Sequence, residues 1–249
     1  TAGLWLALVL ALIPVREVMP PDESRFTHQA QKMIETGDWI VPRIGDVPVA
    51  DKPPVLFWAI DVVSLPWGHV KEWTSRVPSA LGSLVVLLLL VRLARRLRGS
   101  TAVGVGAAAI LLTCFEFFIR AQWVSCDMLM TSLAWITLTC WREALFDDAP
   151  QASASAVDGV KPAAPPGRRG IIALGWAAAG VGVLTKGPVA VLWPAFWVLA
   201  EATARRRFRP LARLVRPEGP VLCLSIVAAW IAAVGLRAGV PFVRNALFQ

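Results

Sequence analysis

Between residues 77 and 236 the sequence repeats one pattern, apolar runs separated by short connections, of which those at 92–98 and 205–216 are knots of arginines. Residues 77–91 contain no charged side chain, and Arg92, Arg95, Arg96 and Arg98 follow at once. Further apolar runs cover residues 101–119, 123–141, 171–184, 189–200 and 220–236. A helix needs about 20 mainly apolar residues to cross ~30 Å of hydrocarbon. Several of these runs meet or approach that length. The chain is therefore read as all-α, a polytopic bundle of transmembrane helices. Its hydrophobic share of 56% and mean hydropathy of +0.60 agree with that reading.

One stretch breaks the pattern. Residues 22–54 read DESRFTHQAQKMIETGDWIVPRIGDVPVADKPP, and 9 of the chain's 17 acidic residues lie between Arg16 and Arg76. Before it, residues 4–13 form the remnant of a span ended by Pro14, and Pro20-Pro21 interrupt the chain. Asp22 is placed to cap a short helix running to about Thr36. Phe26, Ala30, Met33 and Ile34 recur at helical spacing, which gives this helix one apolar stripe and suits a place along the membrane surface. Gly37-Asp38, Pro42, Gly45-Asp46 and Pro48 are turn chemistry, leading to Lys52-Pro53-Pro54. Residues 55–67 are apolar but short and carry Asp61, so they read as a second juxtamembrane helix.

Charge sets the orientation. With residues 15–76 outside and the spans alternating, the segments 92–98, 142–169 and 205–216 fall in the cytoplasm and hold 4, 4 and 6 of the 25 basic residues. The outer linkers beyond residue 76 hold only Arg120, Lys186, Arg237 and Arg244. This is the positive-inside distribution. The net charge of +8 thus belongs to span ends and not to a nucleic-acid surface. Residues 147–169, DDAPQASASAVDGVKPAAPPGRR, lack any helical or strand period and are expected to be a flexible cytoplasmic linker. The four cysteines show no ligand spacing, and His28 and His69 share no metal motif.

Six ionisable residues fall at or near the outer face: Asp22, Glu23, Lys52, Arg120, Asp127 and Lys186. Charges that close to hydrocarbon are costly unless paired, hydrated or in use. Each also has a plainer reading. Asp22 suits a helix cap, Lys52 an interfacial anchor, Asp127 a buried ion-pair partner of Arg120 or an interfacial cap, and Lys186 the cap of a helix hairpin. The segment GVLTKGPV around Lys186 lacks the residue order of a phosphate-binding P-loop. A transporter would place ionisable groups at mid-span and show an internal repeat, and the sequence has neither. A non-catalytic membrane scaffold is the other alternative.

The string PDESRFTHQAQKMIETGDWIVPRIGDVPVADKPPVLFW resembles the first outer loop of GT-C type glycosyltransferases that use polyprenyl-phosphate sugars. The resemblance is strongest to aminoarabinose-to-lipid-A transferases and the related protein O-mannosyltransferases. It rests on the Asp22-Glu23 pair, GDW at 37–39, KPP at 52–54, RVPSAL at 76–81, the position of Asp127, and LTKGPV at 184–189. It implies a multi-pass enzyme of the bacterial inner membrane with its site on the periplasmic side. The implied partners are a lipid-linked sugar donor, a lipid or protein acceptor, and membrane lipids. The implied catalytic residues are Asp22 and Asp127, with Glu23, Lys52, Arg120 and Lys186 binding substrate. The resemblance fixes no cofactor besides the lipid-linked sugar donor, and a divalent metal stays open. Family members continue through further spans into a soluble outer domain. Residues 1–249 are accordingly expected to be the N-terminal part of such a transmembrane domain. The SCDMLM context of Asp127 departs from the more aliphatic surroundings usual at that position.

Overall fold

The computed structural model describes residues 21–49, 52–147, 168–239 and 241–244, together with Trp5. Nearly all of these residues are helical, and the one sheet among them is a two-residue hairpin. The expected linker falls mostly on residues 148–167, outside the described residues, as does the remnant span at 4–13 apart from Trp5.

Helix α1 (Asp22–Thr36) has an acidic first turn, Asp22 and Glu23, which complements the positive end of the helix. Its N-cap position is Pro21, so Asp22 is the first helical residue and not the cap that its place in the sequence suggests. The Asp22 carboxylate instead accepts from Arg25 one turn on, at 3.1 Å. Gly37, at φ 67°, ends the helix in the left-handed region. The chain then forms the antiparallel hairpin β1 (Arg43–Ile44) and β2 (Val47–Pro48). Helix α2 (Val55–Ser64) follows, extended by a 3₁₀ turn at Leu65–Trp67. The apolar stripe of α1 packs on α2 through Phe26, Ala30 and Met33 against Leu56, Phe57 and Ile60. One polar residue is caught in α2. Asp61 is fully buried, neither carboxylate oxygen has a hydrogen-bond partner among the described residues, and burial pushes its carboxyl up to about 8.

The bundle comprises α3 (Glu72–Arg98), α4 (Thr101–Thr113), α5 (Phe115–Gln122), α6 (Cys126–Phe146), α7 (Arg168–Lys186), α8 (Val189–Ala204) and α9 (Glu218–Ala238). Among the described residues, α3 and α9 are long and apolar enough to cross a membrane. Helices α4 and α5 satisfy that test only as a pair bent by 77°. The apolar run at 101–119 is thus broken at Cys114, whose backbone is extended. The cause lies in α5. Glu116 and Arg120 pair across one turn at 2.7 Å while Phe117 and Ala121 are buried on the other side. A helix with one charged face lies along the boundary instead of continuing across it. Helix α3 is longer than its uncharged run, because residues 72–76 and the arginines after Val91 continue the same helix.

Inside a bilayer, apolar burial between helices gives little net drive, so close packing of small residues carries more of the association. Helix α7 shows this. Gly175, Ala178, Ala179, Gly180 and Gly182 are buried along it, and a Cβ on Gly175 would lie 2.5 Å from the Trp141 ring. That contact lets the Trp141 and Trp176 rings approach to 4.7 Å between centroids. The outer loop is tied to the far helix of the bundle. Trp230 of α9 donates its indole N–H to the Ile40 carbonyl at 3.2 Å, and Arg237 donates to Asp38 at 3.1 Å.

Candidate active site

The site is assembled around the short connection between α5 and α6. Ser125 caps α6: its hydroxyl accepts from the Asp127 backbone N–H at 3.1 Å and donates to the Asp127 carboxylate at 3.2 Å. Asp127 is therefore held in the first turn of α6 with its other contacts supplied from two further helices. Arg120, from the end of α5, stands 3.3 Å from one oxygen, and Lys186, the last residue of α7, pairs with the other. Gly187, at φ 94°, turns the chain directly after Lys186 into α8. The motif LTKGPV is thus the tip of the α7–α8 hairpin.

Glu23 and Arg76 fix the same connection from below. The Glu23 carboxylate accepts the Val124 N–H at 2.9 Å and faces Arg76 Nε at 3.5 Å. Both side chains are buried, at 2% and 0% exposure. A buried charge pair holds position chiefly because losing either partner strands the other. Ser79, also in RVPSAL, donates to the Ser125 carbonyl at 3.4 Å and accepts its N–H at 3.3 Å. The DE and RVPSAL motifs are therefore two halves of one joint.

The six residues singled out in the sequence all line one cavity of about 410 Å³: Asp22, Glu23, Lys52, Arg120, Asp127 and Lys186. They do so unequally. Asp22 is well exposed, Asp127 and Lys186 are about one-third and two-fifths exposed, and Glu23 faces inward to its buried partners. The same lining includes Arg25, Trp123 and Ser125, which the sequence reading passed over. Signals for them exist: Arg25 lies one turn after Asp22, and Ser125 stands at the capping distance from Asp127. With Arg25, Lys52, Arg120 and Lys186 against Asp22, Glu23 and Asp127, the lining holds four cations and three anions. A second cavity of about 510 Å³ meets the Arg120–Asp127–Lys186 triad from the α4–α5 side. An apolar groove of about 590 Å³, walled by α2, α3, α6, α7 and α9, begins one turn away at Leu129 and Leu184.

Such an arrangement can bind an anion beside carboxylates able to orient or deprotonate a hydroxyl. Among the described residues no three His, Cys, Asp or Glu side chains are grouped to hold a metal ion, and Asp22 and Asp127 are paired with cations.

Comparison with known proteins follows the same lines. Residues 51–156 match the family model described as dolichyl-phosphate-mannose-protein mannosyltransferase. The undecaprenyl phosphate-alpha-4-amino-4-deoxy-L-arabinose arabinosyl transferase of Pectobacterium carotovorum is 28% identical over 95% of this chain and 40% of its own length. The corresponding transferase 1 of Pseudomonas fluorescens is 29% identical over 94% of this chain and 39% of its own. The chain thus spans about 40% of the length of these relatives. The crystal structure of ArnT from Cupriavidus metallidurans in the apo state superimposes with a TM-score of 0.79 at 27% identity, covering 99% of this chain and 43% of that one. The same protein bound to undecaprenyl phosphate gives 0.77 at 26% identity, covering 94% and 41%. In sequence and in fold alike, the chain resembles the GT-C type glycosyltransferases that use polyprenyl-phosphate sugars, as the polar loop and its motifs imply.

Proposed function

We propose that this chain forms the donor-binding part of a membrane glycosyltransferase acting at the periplasmic face of a bacterial inner membrane. The enzyme moves a sugar from a polyprenyl-phosphate carrier to a lipid or protein acceptor, with a lipid A-like molecule favoured by the motif resemblance. The observation that carries this reading is the cavity itself: cations and carboxylates from α1, the KPP segment, α5, α6 and α7 meet at its wall, and an apolar groove opens beside it. A prenyl phosphate has both halves of that chemistry, a charged head and a long apolar tail. One solved relative carries undecaprenyl phosphate, which supports the assignment.

In the reaction the bond between the anomeric carbon and the carrier phosphate oxygen breaks, and its electron pair leaves with the phosphate. Lys52 meets that phosphate, with Arg120 and Lys186 supporting the growing negative charge. The acceptor oxygen bonds to the anomeric carbon, and where the acceptor is a hydroxyl, Asp22 orients it and takes its proton. Where the acceptor is a phosphate, no proton needs removing and Asp22 only positions it. Asp127 holds Arg120 and Lys186 at the spacing the phosphate needs, and Glu23 keeps the α5–α6 connection in place. The test is carrier use by the full-length protein. Lys52→Ala should raise the concentration of polyprenyl-phosphate donor needed for half-maximal transfer by about tenfold or more, since a charge-assisted phosphate contact is lost. An unchanged donor requirement would remove Lys52 from the phosphate site.

A further inference from the structure

A second charged cavity lies at the opposite end of α7. Arg168 opens that helix and Lys186 closes it, so its 19 residues put about 27 Å between the two ends. The far cavity has a volume of about 470 Å³. Arg168 and Arg169 enter it from the first turn of α7, and Arg213 and Arg216 from the connection into α9, with Glu218 as the acidic group in the lining. Four guanidiniums against one carboxylate leave a net charge of +3. Among the described residues, Arg169, Arg213 and Arg216 make no salt bridge, while Arg168 donates to the Asp147 carbonyl at 3.1 Å.

The backbone that presents these arginines is pinned from beneath. Trp176 donates its indole N–H to the Leu214 carbonyl at 3.2 Å. Gly219 lies so close to the same ring that a Cβ would stand 2.2 Å from it. Planar guanidiniums match the oxygens of a phosphate in pairs. The cavity is not purely polar, however. Ile172 and Ala173 form part of its wall, and Leu174 and Val215, next to lining residues in the sequence, are 58% and 74% exposed. Inorganic phosphate has no use for an apolar wall, whereas a phospholipid brings a phosphate and acyl chains together.

We propose that this cavity binds the phosphate of an anionic phospholipid of the cytoplasmic leaflet. The leaflet rests on the orientation proposed above, but the binding chemistry does not, so the two can fail separately. In a detergent-purified full-length protein stripped of lipid, dioctanoyl phosphatidylglycerol should bind about tenfold or more tightly than dioctanoyl phosphatidylcholine. Inorganic phosphate should compete poorly. Arg213→Gln with Arg216→Gln should abolish the preference, while Arg206→Gln with Arg207→Gln, exposed arginines outside the cavity, should leave it within about twofold. Equal binding of the two wild-type lipids would overturn the proposal and requires no variant to fold. So would an equal loss in the control pair, which would mean diffuse charge, or full competition by inorganic phosphate, which would mean a free-anion site.

Discussion

Replacing Asp61 by Asn isolates what a buried carboxyl does to the joint between α1, α2 and α3. Asp61 is fully buried without a hydrogen-bond partner among the described residues, and burial raises its carboxyl from 3.8 to about 8. The sign follows from proton counts. Between those values the folded protein keeps a proton that the unfolded chain releases, so stability falls as pH rises from about 4 and levels off above about 8. Each unit of pH in that window removes about 1.4 kcal/mol, with an upper bound on the order of 5 kcal/mol for the whole shift. Asn cannot ionise, and any penalty from its buried amide is independent of pH. The informative quantity is therefore the difference in unfolding stability, variant minus wild type, in one detergent at pH 5, 6, 7 and 8. That difference should move in favour of Asp61→Asn by about 3 kcal/mol between pH 5 and 7. A constant difference, or one moving toward the wild type, would refute a neutral buried carboxyl and indicate an ionised, paired one.

Other expectations follow from packing and charge. Glu23→Ala should destabilise in thermal unfolding by about 3 kcal/mol, because it removes a carboxylate partner of the buried Arg76 guanidinium and an acceptor of the Val124 N–H. Gly175→Ala should destabilise by about 1–3 kcal/mol, since its Cβ would drive into the rigid Trp141 ring. Gly106→Ala, where a Cβ meets nothing within 4 Å, should instead stabilise α4 by about 0.5–1 kcal/mol in the same assay. Reporter fusions at Ser100 and Ala156 should both read as cytoplasmic, and an outside signal at either would reverse the proposed orientation.

What was readable in the sequence was whatever depends on composition and short spacing. The apolar runs announced helices, and of the apolar stripe of α1 read as Phe26, Ala30, Met33 and Ile34, the first three are buried against α2 while Ile34 is only partly buried. The six motif residues were visible too, and they line one cavity. What escaped depends on partners distant in the chain. The Glu23–Arg76 pair joins residues 53 positions apart, and nothing local distinguishes either from a surface charge. The break at Cys114 looks like continuous hydrophobicity until the charged face of α5 is laid against its apolar one. Asp22 reads as a helix cap because aspartate after proline commonly is one. Here Pro21 occupies the cap position, and the carboxylate is free of the backbone and turned to Arg25. The orphaned Asp61 could not be told from a solvated acid, since its burial comes from α2 packing between α1 and α3.

The proposed chemistry stands or falls at Asp22. This carboxylate is well exposed to the cavity and makes no cap, so Asp22→Asn keeps the shape and removes only the charge. In the full-length protein, sugar transfer from a polyprenyl-phosphate donor should fall by about 100-fold or more if Asp22 serves as the base. Folded yield and thermal unfolding should stay within about 0.5 kcal/mol of wild type, as for other exposed substitutions. Near-wild-type transfer to a hydroxyl acceptor by Asp22→Asn would contradict the account and move the reacting centre away from α1.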